Sequence, residues 1–133
     1  MRIVLDTNVL FAAFVAHGVC SGLYEECLSH GHVVVSRFIL EELHEKLLAK
    51  AKLSQSEAEE VIDAVKADAE IVEVQPLAAP VFCDADDDWI LVTALAAKAN
   101  ALVTGDKDVL VLGRHGGIPI LTPRDCLLLL RSI

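Results

Sequence analysis

The sequence predicts an α/β fold, a three-layer α/β/α sandwich around a central, mainly parallel sheet of about five strands. Three observations carry this prediction. Five short apolar runs rich in β-branched residues read as buried strands, amphipathic helical patterns fill the intervals between them, and no repeat, low-complexity segment or Gly/Ser linker interrupts the chain. Strands alternating with helices need helices on both faces of the sheet. At 133 residues the chain is expected to form a single domain, 1–133.

The first run, Arg2 to Asp6, is "RIVLD", and a helical pattern follows from Val9 to Ala16, with a second from Gly22 to Ser29. "HVVVS" at His32 to Ser36 is the second strand signal. Phe38, Leu40, Leu43, Leu47 and Leu48 then mark a helix from Arg37 to Lys50 that Ser36 can cap. Ser54 and Glu57 have capping-box spacing ahead of "AEEVIDAVKA". A strand near Ile71 precedes a helix to Lys98 that Asp86 or Asp87 can cap. "ALVTG" and "IPILT" supply the last strands, and Thr122-Pro123 opens the final helix.

Composition narrows the function classes. Twenty acidic residues against eleven basic ones give a formal net charge of -9, which argues against nucleic-acid binding by bulk electrostatics. No apolar stretch approaches the roughly 18 residues of a membrane span. The N-terminus meets Asp6 too early for a signal peptide, so a cytoplasmic protein without a membrane partner is expected. Cys20, Cys27, Cys83 and Cys126 form no CxxC pair and read as reduced, mostly buried thiols. Cys27, His30 and His32 have zinc-type side chains but no suitably spaced fourth ligand.

The chemistry lies in the acids. In open parallel sheets the active crevice lies beyond the carboxyl ends of the strands, where strand order reverses. Asp6 ends the first strand signal and Asp106 follows the fourth, while Asp87 opens the helix leading into that fourth strand and Glu42 rides the helix after the second. Asp87 shares its helical stripe with Ile90, Leu91 and Ala94, which turns it inward. Asp84, Asp86 and Asp88 read as helix-start charge favoured by the macrodipole. Periodicity alone makes Glu42 a surface residue. Carboxylates brought together repel one another unless a cation compensates, and a hard divalent ion with oxygen ligands suits such a group. That pattern points to phosphodiester hydrolysis.

The segments "IVLDTNVLFAAF", "VVVSRFILEELHEKL", "DADDDWILVTALAAKANALVTGDKDVL" and "GGIPILTPRDCLLLL" together resemble the PIN-domain family, in particular its toxin branch from toxin-antitoxin pairs. The resemblance implies single-stranded RNA cleavage dependent on one or two Mg²⁺ or Mn²⁺ ions, together with a cognate antitoxin. It assigns catalytic and metal-binding roles to Asp6, Glu42, Asp87 and Asp106, with Asn8, Asp84, Thr104 and Asp108 as auxiliaries. The adjacent Asp86, Asp87 and Asp88 allow a one-residue slip in that assignment.

Two alternatives stand beside the nuclease. A metal-dependent phosphatase with an aspartyl nucleophile is expected to carry Asp-x-Asp near the first strand, where this chain has Asp6-Thr7-Asn8; the other is a metal-stabilised RNA-binding or interaction module with little turnover. Arg37, Lys46, Lys50, Lys107, Arg114 and Arg124 are the candidate phosphate contacts, with Lys107 read as shielding the acids beside it. Trp89 and Phe82 flank the acid run, where core packing is the more frequent fate and base stacking the alternative. The final helix is apolar around most of its circumference at Leu127 to Leu130, which implies a homodimer or antitoxin contact.

Overall fold

The computed structural model describes residues 1–16 and 18–132. The central sheet has the order β3-β2-β1-β4-β6-β5. Strands β1 (Arg2–Leu5), β2 (His32–Ser36), β3 (Glu70–Val72), β4 (Ala101–Val103) and β6 (Ile118–Leu121) run parallel, while β5 (Arg114–His115) adds an antiparallel edge. Ile3, Val4, Leu5, Val33, Val34, Val35, Leu102 and Val103 are all fully buried, which explains why these strands read as unbroken apolar runs rather than alternating ones.

The helices are α1 (Thr7–Val15), α2 (Val19–His30), α3 (Arg37–Ala49), α4 (Gln55–Asp68), α5 (Ala85–Ala97), α6 (Lys107–Leu110) and α7 (Pro123–Arg131). Helix α1 packs on α2 and α3, α2 on α7, and α3 on α4, whereas α5 packs against strands β1 to β4. Right-handed crossovers account for the division, because the chain steps outward from β1 to β3 through α1 to α4 and returns to β4 through α5 on the opposite face. Among the described residues no single helix is long and apolar enough to cross a membrane.

Several local expectations hold at atomic detail. Ser36 caps α3 and Thr122 caps α7 with Pro at its start, while Ser54 and Glu57 form both halves of the capping box on α4. Three expectations need correction. Helix α1 begins at Thr7 rather than Val9, because Asp6 caps it by accepting the Asn8 amide. Helix α5 is capped by Asp84, which accepts the Asp86 amide, and neither Asp86 nor Asp87 serves. Cys27 and Cys126 are buried, but Cys20 is half-buried and Cys83 exposed.

Two short elements carry no apolar periodicity. Helix α6 is one turn capped by Asp106, and β5 joins β6 through Gly116-Gly117. Both glycines have positive φ, 56° and 81°, the backbone that a two-residue hairpin loop with the favoured twist requires. A Cβ on Gly116 would also stand 2.8 Å from the Leu95 side chain. Gly116→Ala is therefore expected to destabilise the protein by about 1–2 kcal/mol in urea unfolding, more than a surface substitution would.

Candidate functional site

Strand order reverses at β1, whose neighbours are β2 on one side and β4 on the other. Val4 and Leu5 lie opposite Leu102 and Val103, so the chain leaves both strands at the same level and sets Asp6 beside Thr104. The Asp6 amide donates to the Val103 carbonyl at 2.8 Å. Thr104 Oγ1 donates to Asp6 Oδ2 at 2.7 Å and accepts from the Asp106 amide at 3.0 Å. Thr104 is fully buried and Asp6 is 7% exposed. A single hydroxyl thus fixes one carboxylate by its side chain and the other by its backbone.

The aspartate run at the head of α5 divides its work. The Asp84 side chain caps the helix. Asp88 Oδ1 accepts from the amides of Val81 and Phe82, both at 3.0 Å, and so ties the preceding loop to the helix. Asp87 is left half-buried, with Asp106, Asp84, Asp6 and Asp108 as its charged neighbours. Desolvation first, and then those like charges, push its carboxyl up to about 6.

Glu42 is half-buried on α3, where desolvation is the largest influence and raises its pKa. Thr7 and Lys46 act in the opposite direction, and Asp86 adds a like charge. The α5 acid that Glu42 faces is therefore Asp86 rather than Asp87. Asp86 and Thr7 were missed as neighbours of Glu42 because 44 and 35 positions separate them from it in the chain, beyond any periodic signal. Thr7 is fully buried, and its Oγ1 has no hydrogen-bond partner of standard geometry even though it lies near Glu42. Lys46 Nζ donates to Asn8 Oδ1 at 2.6 Å, placing a cation between Glu42 and the start of α1.

Of the predicted residues, Asp6, Asp87, Asp106, Thr104, Asp84 and Asp108 gather around the ends of β1 and β4, and Glu42 and Asn8 meet Lys46 at the β2 side. Among the described residues no three His, Cys, Asp or Glu side chains stand close enough to cage an ion. The donors are nonetheless all hard oxygens, and the orphaned Thr7 hydroxyl adds another. That set fits Mg²⁺-like ions, which keep several waters and take only one or two carboxylates from the protein. A larger cleft of about 660 Å³ lies elsewhere, lined by Arg37, Leu40, His44 and Lys66 between α3, α4 and β3.

A family profile described as PIN domain matches residues 2–108, from the start of β1 through Asp106 and Asp108. The chain belongs to the PIN-domain family. PIN domains are nucleases, which generally use divalent metal ions. Among solved structures, the PIN chain is similar to VapBC2 from Rickettsia felis bound to a DNA fragment from their promoter, with a TM-score of 0.65 and 17% identity over 92% of this chain and 98% of that one. It is similar to PAE2754 from Pyrobaculum aerophilum with a TM-score of 0.66 and 16% identity over 100% and 91% of the two chains. For FitAcB from Neisseria gonorrhoeae the values are 0.59 and 15%, over 92% and 98%. No curated protein matches the chain.

The raised carboxyl of Asp87 makes a stability prediction for metal-free protein. The folded state holds this proton more tightly than the unfolded chain, whose ordinary value is 3.8, so the group's stabilising contribution is full below about pH 4 and is lost as pH rises through about 6. Asp87→Asn removes that loss. In urea unfolding with EDTA at pH 7.5, the variant is expected to be about 1 kcal/mol more stable than wild type, an amount discounted for solvent screening, and to show a flatter profile between pH 4 and 7.

Proposed function

We propose that this PIN domain is a divalent-metal-dependent ribonuclease that hydrolyses phosphodiester bonds of single-stranded RNA and acts as the toxin of a toxin-antitoxin pair. The observation that carries the reading is the convergence of Asp6, Asp87 and Asp106 where strand order reverses, with burial first and then like charges raising the Asp87 carboxyl. Such a group makes physical sense beside a cation and an anionic substrate, and the family membership supplies the reaction class. The toxin reading draws on the similarity to VapBC2 and FitAcB.

In this reading Asp6, Asp87 and Asp106 would hold the ion, Mg²⁺ or Mn²⁺, one or two of them directly and the rest through its waters, and Glu42 would hold a second ion. When bound, the ion supplies Lewis acidity toward the phosphate and acidifies the attacking water. The chain's own residues set the stage for that chemistry. Thr104 keeps the Asp6 carboxylate oriented. Asp84 and Asp88 anchor the α5 start so that Asp87 is presented inward. Lys46, held on Asn8, offers a positive charge to a substrate phosphate at a site otherwise rich in negative charge.

The exposed face of α7 fits an antitoxin or a second copy of the chain. Leu128 is 60% exposed and Leu129 41%, while Cys126, Leu127 and Leu130 are buried on the opposite side.

Labelled single-stranded RNA incubated with purified protein tests the proposal. Cleavage is expected with Mg²⁺ or Mn²⁺, none with EDTA, and a loss of roughly 100-fold or more in Asp6→Asn and Asp106→Asn. Thr104→Val is expected to lower activity about 10-fold while leaving the fold intact by circular dichroism. Metal-independent cleavage, or full activity in both Asn variants, would remove the assignment.

A further inference from the structure

The head of α3 and the head of α5 meet over the end of β2, one helical turn from Glu42 and Asp86. Phe38 precedes Glu42 by four residues and Trp89 follows Asp86 by three. The two rings stack, with centroids 5.9 Å apart and planes inclined by 22°. Both side chains are half-buried rather than enclosed. Thr93 Oγ1 lies 2.7 Å from Ser36 Oγ and 2.8 Å from the Trp89 carbonyl, which pins the Trp89 turn of α5 to the cap of α3.

This aromatic pair lines a cleft of about 320 Å³ whose wall is completed by Val72 and whose polar groups are Arg37, Glu41 and Glu73. The volume falls at the lower end of the range for small-ligand sites, about 300–1,000 Å³. Its chemistry is uneven in an informative way. Flat apolar walls favour a planar ring, and the Arg37 guanidinium can contact a phosphate or stack on that ring. Glu41 and Glu73 offer only acceptors when ionised, so the edge they recognise must carry N–H donors. Two carboxylates would repel a phosphate placed between them, which turns the backbone toward Arg37 and the base inward.

We propose that the Phe38–Trp89 cleft is a nucleobase subsite for the RNA strand whose phosphodiester lies at the acidic group, and that Glu41 and Glu73 select bases bearing an exocyclic amino group. Cytosine, adenine and guanine carry that amino group, whereas uracil offers only its ring N3–H, flanked by two carbonyl oxygens that a carboxylate repels. The inference rests on the single-stranded RNA reading above and adds to it a site and a preference. Stacking on an aromatic pair anchors one nucleotide beside the acids and compensates for the chain's net charge of -9.

Trp89 is the only tryptophan, so the protein's indole emission comes from this residue. Wild-type protein is titrated with short oligo(C), oligo(A) and oligo(U) in Ca²⁺, following indole emission and the anisotropy of end-labelled strands in parallel. Oligo(C) and oligo(A) are expected to quench Trp89 and to bind about tenfold more tightly than oligo(U). The exposed pair Glu41→Gln with Glu73→Gln levels that preference, and Arg37→Ala weakens all three strands. Strands that bind by anisotropy with equal affinity and leave the indole emission unchanged would overturn the subsite while leaving the ribonuclease reading intact. If no strand binds and wild-type protein with Mg²⁺ cleaves no RNA, both readings fall.

Discussion

The rest of the site depends on the hydrogen bond from Thr104 to Asp6, because it joins the ends of two neighbouring parallel strands at the point where the sheet changes direction. A buried polar side chain needs a hydrogen-bond partner inside the protein. Here it is held by a hydroxyl whose own strand also supplies Asp106, and it caps the first helix at the same time. One side chain therefore ties strand, helix and acidic group together. Any outward rotation of Asp6 would unmake the α1 cap and leave the Thr104 hydroxyl proton without its acceptor.

Around that fixed point, neighbouring acids of the same type do different physical work. Asp84 and Asp88 spend their oxygens on backbone amides, and Asp106 caps α6 while facing the site. Asp87 is the acid of this run that shares its surroundings with Asp6 and Asp106, and the elevation of its carboxyl to about 6 reflects that position. Burial and like charges together oppose ionisation of Asp87 in a protein whose core is otherwise mainly apolar. Under the proposed function a hard divalent cation would convert that repulsion into attraction and so link the protein's stability to its chemistry.

Much of this was legible in the sequence, and the legible part has a common cause. The parallel strands announce themselves because burial on both faces demands unbroken β-branched runs, and Asp6 and Asp106 stand out because polar residues end such runs. The inward stripe singled out Asp87 for the same reason. What was hidden was either too short for periodicity, as in α6 and β5, or long-range. The Gly116-Gly117 pair was the available signal for the β5 hairpin. The choice of Asp84 as cap depends on Asp88 reaching back to Val81 and Phe82, and the meetings of Glu42 with Asp86 and of Lys46 with Asn8 arise only when α3, α5 and α1 are packed. Trp89 remained ambiguous in sequence because its partner, Phe38, lies 51 positions earlier.

Thermal unfolding of chelator-treated protein with millimolar Mg²⁺ or Mn²⁺, against NaCl of matched ionic strength, tests whether the clustered carboxylates bind a divalent cation. At pH 7.5 the midpoint is expected to rise by several degrees with the divalent ion and to change little with NaCl, with a smaller rise at pH 5, where Asp87 is protonated. An equal rise with both salts, or a divalent effect undiminished in Asp6→Asn, would contradict it.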